Sequence, residues 1–241
     1  MFEKSEKSER RFVFEWTLLH LLGWIVGVTC GFVLVNRFVF PKLEPNELSP
    51  YRWYSDFKII LNMVLFGICF GAIQWLKLRR WKINAFKWIL ATSLGIGLLG
   101  ATNSLINSSL IYLTSEISYN SPLSLVLGII GAVLGLVVGG GAIGGMQSIT
   151  LKKLIPKQRV WILANIFGIL GFGILETVVV GGLLVFKSVF LNFAYSHELD
   201  TVVEMRWLLV DYFALIVTPI FSILTIAIPT GKVLKKYIDQ P

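Results

Sequence analysis

Six stretches of this chain are each long enough and apolar enough to cross the ~30 Å hydrocarbon core of a bilayer. They are Trp16–Val35, Ile59–Leu76, Ala85–Leu113, Leu123–Ile149, Val160–Phe186 and Trp207–Ile228. Each is expected to be a spanning helix, the longest tilted or extending past the bilayer. Composition agrees, because 55% hydrophobic residues, 15% charged residues and a mean hydropathy of +0.74 are too apolar for a water-soluble domain of this length. Residues 1–15 alternate Glu and Lys with Ser and Arg, and no small-x-small cleavage site follows the first apolar run. That run therefore reads as an anchor rather than a removed signal peptide.

The net charge of +8 has a topological explanation. If the amino terminus is cytoplasmic, that side collects Lys4, Lys7, Arg10 and Arg11, then Lys77, Arg79, Arg80, Lys82 and Lys87. It also takes Lys152, Lys153, Lys157 and Arg159, then Lys232, Lys235 and Lys236. Only Arg37, Lys42, Arg52, Lys58, Lys187 and Arg206 fall outside, so the positive-inside rule puts both termini in the cytoplasm. The basic residues sit at helix ends and form no stripe with interleaved aromatics, which argues against a nucleic-acid partner. Arg79, Arg80, Lys152 and Lys153 could instead meet anionic lipid headgroups.

One pattern is written twice, 73 residues apart. Gly67-x-x-x-Gly71-x-x-Gln74-x-x-x-Leu78-Arg79-Arg80 leads to Trp88-x-x-Ala91-x-x-x-Gly95. Likewise Gly140-x-x-x-Gly144-x-x-Gln147-x-x-x-Leu151-Lys152-Lys153 leads to Trp161-x-x-Ala164-x-x-x-Gly168. This spacing predicts an internal duplication of one helical hairpin. Glycines four apart let helix backbones approach where lipid supplies no hydrophobic drive. Gly67/Gly71, Gly140/Gly144, Gly141/Gly145, Gly131/Gly135/Gly139 and Gly23/Gly27/Gly31 are therefore assigned to helix packing. Gln74 and Gln147, a turn inside the basic turns, are expected to bond to neighbouring helices. Trp16, Trp88 and Trp161 open their helices at the interface and read as anchors. Cys30 and Cys69 fall at opposite depths of their helices, which disfavours a disulfide.

Gly71–Arg80 (Gly-x-x-Gln-Trp-Leu-Lys-Leu-Arg-Arg), followed by Trp88–Gly95, resembles the repeat of a family of small multi-pass bacterial membrane proteins common in cyanobacterial genomes. The likeness covers Gly67–Gly100, and Gly140–Gly173 with departures, Ser148 replacing the tryptophan of the first copy. It implies a bacterial inner-membrane or thylakoid location and carries over no activity and no site residues.

The repeat extends to a split third copy. Trp16 to Gly23 has the spacing of Trp88 to Gly95, and Leu234-Lys235-Lys236 stands where Leu78-Arg79-Arg80 stands, with Thr230 in the glutamine place. The fold class expected is all-α: a polytopic membrane protein of six helices in three like-oriented hairpins around a pseudo-threefold axis. A single domain over 16–236 then contains copies at 59–113 and 123–186, and a third made of 207–236 plus 16–36. The charged segment 1–15 and the tail 237–241 flank it.

In that register one stripe of each odd-numbered helix carries polar groups: His20 in the first; Thr92, Asn103 and, a turn on, Asn107 in the third; Asn165 and Glu176 in the fifth. Glu176 is the one carboxylate deep in a span, which makes it a candidate functional residue. Other chemistry is thin. His20 is a lone imidazole, His197 lies in an outer loop, and no metal-spaced cluster or nucleophile–base motif is visible, so neither cofactor nor metal is expected. Gly139–Gly145 lacks the Lys-Ser/Thr ending of a phosphate loop. Pro219 and Pro229 predict a kink in the last helix.

The reading that follows is a non-enzymatic integral membrane protein with a structural, accessory or partner-binding role, its partners being the bilayer and other membrane proteins. The alternative is a small channel or transporter with an intramembrane polar site around Asn103 and Glu176. A lipid-modifying enzyme would need acidic or histidine clusters near the interface. A wet cavity reaching Glu176 would favour transport, and a dry core with an exposed apolar flank a partner role.

Overall fold

The computed structural model describes residues 2–34, 52–116, 122–195 and 220–238, and within these every element is helical. In chain order they are α1 (Phe2–Leu34), α2 (Arg52–Leu78), α3 (Ala85–Glu116), α4 (Pro122–Leu151), α5 (Gln158–Tyr195) and α6 (Ile228–Ile238), with a π-turn over Ile223–Ala227 leading into α6. Five helices are long and apolar enough to cross a membrane, over Ser8–Gly31, Phe57–Trp81, Ala85–Ile106, Ile129–Leu151 and Gln158–Val179. Most of the sixth expected span, 207–228, lies outside the described residues, as do His197 and Pro219. The helix α1 starts at Phe2 and runs through the charged segment 1–15, with Arg10 paired to Glu6 and Arg11 to Glu15 a turn apart.

The two basic turns are tight. After α2 a 3₁₀ turn over Arg79–Trp81 ends at Lys82, whose φ of 55° is left-handed and whose N–H bonds to Arg79 O at 3.0 Å. Asn84 then caps α3, its side-chain oxygen accepting from Lys87 N–H at 3.0 Å. After α4, Leu154 and Ile155 N–H both reach Leu151 O at 2.8 Å, and Pro156 follows. Neither turn has slack, so each forces its two helices to pack antiparallel.

Glycine sets the closeness of that packing. A Cβ at Gly67 would stand 2.6 Å from Ser93 Cα, and one at Gly140 would stand 2.8 Å from Ile166 Cα, the position 73 residues on from Ser93. Gly71 meets Ile89 and Thr92 as Gly144 meets Ile162 and Asn165. A second set joins successive hairpins: Gly23 lies on Phe70, Gly95 on Ile143 and Gly168 on Ile226. Gly27 and Gly31 continue the first of these along Phe66 and Asn62. The expected pair Gly141/Gly145 packs differently, because Gly145 has open space around it and Gly141 only ordinary contacts with Ile166.

The chain closes through its last helix. Gly231 of α6 lies on the Trp16 ring of α1, Trp16 Nε1 donates to Thr230 Oγ1 at 3.3 Å, and Gly168 of α5 abuts the π-turn. That π-turn has a local cause. Pro229 has no N–H to continue the ladder, and Ile228 N–H reaches back five residues to Ile223 O.

One sequence expectation needs correction. Trp16, Trp88 and Trp161 are not interface anchors: each is at most 1% exposed. They form one cluster with Phe12, Leu78, Ile83, Leu151, Ile155 and Leu234 that seals the bundle at the level of the basic turns. An indole at a helix start satisfies the interface preference and the packing requirement alike, and here packing claims it. The aromatic rings left exposed are others, such as Phe86 and Phe167. Cys30 and Cys69 are both free thiols, as their different depths lead one to expect.

Candidate ligand-binding site

The helices line a partly open cavity of about 360 Å³ between them. Its two ends differ in chemistry. Toward the tryptophan cluster it is lined by polar side chains from five helical segments: His20 of α1, Gln74 of α2, Gln147 of α4, Asn165 of α5, and Ser222 and Thr230 on the last segment. Farther along, the wall is apolar, with Trp24, Phe66, Phe70, Ile96, Leu99, Ile169 and Phe172. Ring edges pack this wall: His20 meets Phe70 edge-on at 4.6 Å, and Phe66 stacks on Phe70 at 5.4 Å.

The polar floor is a network between helices rather than a set of independent side chains. Gln74 Nε2 meets His20 Nδ1 at 3.4 Å, and His20 Nε2 shares a hydrogen bond with Ser222 Oγ at 2.9 Å, the imidazole tautomer setting which atom donates. Gln147 Nε2 donates to Thr92 Oγ1 at 3.1 Å, joining α4 to α3. Asn165 turns its amide back to Trp161 O at 3.0 Å, and the Thr230 hydroxyl donates to Ile226 O at 2.6 Å. Two atoms of lining residues are left over: Gln74 Oε1 and Trp161 Nε1 are buried without a partner. Burying such groups is costly unless something fills their valences.

Of the residues singled out in the sequence, His20, Asn165, Gln74 and Gln147 come together here, and Thr92 stands directly behind Gln147. The glycines Gly23, Gly27, Gly31, Gly67, Gly71, Gly140 and Gly144 hold the surrounding helices. Asn103, Asn107 and Glu176 fall on α3 and α5, but their side chains lie outside those described. Phe172, one turn before Glu176, lines the cavity. Sequence reasoning missed Ser222, and it missed Trp16 and Trp161 as lining residues. The His20–Ser222 pair has the spacing of a base and a nucleophile. Among the described residues no group of His, Cys, Asp and Glu could hold a metal ion.

A search of family models, of curated proteins and of solved structures finds no match to this chain.

Proposed function

We propose that this chain is a non-enzymatic integral membrane protein that holds a small molecule at the centre of a threefold-repeated helical bundle. The observation that carries the reading is the cavity itself, polar at one end and apolar along its walls, with two buried polar atoms still unpartnered. Small-molecule sites are typically mostly apolar hollows of ~300–1,000 Å³ with a few convergent polar groups, often between the helices of a bundle. The threefold plan is supported by like contacts at like positions: Gly23 on Phe70, Gly95 on Ile143, Gly168 on Ile226. Trp16, Trp88 and Trp161, with Leu78, Leu151 and Leu234, recur in the same register within one cluster. An axial cavity is what three like hairpins leave when each contributes large side chains at their contacts.

Transport is the second reading, favoured by the run of the cavity to Phe172, beside the level of Glu176. Both readings require occupancy. Native mass spectrometry of the protein released from its own membrane should show one small-molecule adduct per chain. Leu136→Trp, which drives a larger side chain into the cavity wall, should remove it. Adducts of equal occupancy in both proteins would identify surface lipid, and absence from the unaltered protein would refute a held ligand.

A further inference from the structure

The structure assigns to the central cavity a neutral amphipathic ligand, an alcohol or primary amide on an apolar body, whose head donates one hydrogen bond and accepts another. This rests on the reading of the cavity as a binding site and adds the chemical class of its occupant.

Three observations converge. The first is the pair of unfilled valences. Gln74 Oε1 is an acceptor and Trp161 Nε1 a donor; both side chains line the cavity and are at most 3% exposed. A hydroxyl or a primary amide both donates and accepts and so matches both kinds of valence, whereas a carboxylate matches only the indole and an ammonium only the amide oxygen. The second is charge. Among the described lining residues there is no carboxylate, ammonium or guanidinium. Both nitrogens of His20 are already engaged by Gln74 and Ser222. Lys77, the buried cation nearest in sequence to this floor, is paired with Glu15 and does not line the cavity. A charged head would therefore be buried without a counter-ion, at a far higher cost than a neutral one. Glu176 does not change this, since it stands eleven residues beyond Asn165, about 16 Å along α5 at 1.5 Å per residue. The third is the wall. Water needs two to four polar partners to stay in a cavity, and the polar atoms cluster at one end. Water can serve the floor, but the aromatic and aliphatic remainder calls for a hydrocarbon or ring body.

The test uses the whole chain in nanodiscs and four radiolabelled probes sharing one ten-carbon body: 1-decanol, decanoate, decyltrimethylammonium and decane. Uptake by empty discs is subtracted. Decanol is expected to saturate at one per chain and to bind at least ~10-fold more tightly than either charged probe, decane falling between. Gln74→Met and Trp161→Phe, which preserve bulk but remove the acceptor and the donor, should each weaken decanol about 5–10-fold and leave decane unchanged. Charged probes that bind as tightly as decanol would overturn the ligand class while leaving the binding site intact. So would decanol affinity indifferent to both substitutions. Failure of all four probes, decane included, to saturate would instead remove the binding-site reading. Should either variant fail to fold, the comparison of probes on the unaltered chain still decides.

Discussion

Gly95→Ala should destabilise the bundle by about 1–3 kcal/mol, the range for forcing extra volume into a packed core, and Gly95→Leu should prevent it from closing. The physical reason is that a Cβ at Gly95 would stand 2.7 Å from Ile143 Cα. Backbone cannot rotate out of the way as a side chain can, so α3 and α4 must separate and take their neighbours with them. Gly140→Ala, facing Ile166 Cα at 2.8 Å, should behave alike. Gly145→Ala is the internal control: nothing lies within 4 Å of its added methyl. The helix-propensity gain of up to ~1 kcal/mol should therefore appear unopposed. Reversible unfolding in mixed detergent micelles reads all three. If Gly95→Ala proved as harmless as Gly145→Ala, the close helix contact would not exist.

The second large effect is expected at Trp88. Fully buried between the basic turns, Trp88→Ala should cost about 3–5 kcal/mol, as for other buried aromatic truncations. Phe86→Ala, two residues away at 72% exposure, should change stability by less than ~1 kcal/mol because it leaves no void. The same unfolding assay separates the two. Comparable small losses at both positions would restore Trp88 to the interface.

The tryptophans show where sequence reading stops. Hydropathy located the spans, and repeated glycines located the contacts, because both follow from local spacing. Which of two compatible roles a tryptophan takes depends on what faces it, and only the packed helices decide that. The His20, Gln74, Gln147 and Asn165 floor was legible in part, since polar residues recurring at one register in apolar helices must find partners in one another. Ser222 was not legible. It precedes the π-turn, which opens the helix by an extra residue and breaks any offset counted back from Leu234. Counted so, Ser222 aligns with Phe66 and Gly139, neither of them polar.

The last helix, α6, packs against α1 and completes the wall of the cavity. An ideal Cβ on Gly231 lies 3.7 Å from Trp16 Cβ, within the ~3.5–4.5 Å span that a disulfide bridges. In a chain with Cys30 and Cys69 replaced by alanine, the double variant Trp16→Cys, Gly231→Cys should form an intramolecular disulfide on mild oxidation. Its ends should stay linked after proteolysis of the Arg79–Trp81 turn. Formation in the folded protein, and loss of the link on reduction, is the predicted result. Fragments that separate without reductant would place the last helix away from the first and contradict the closed bundle.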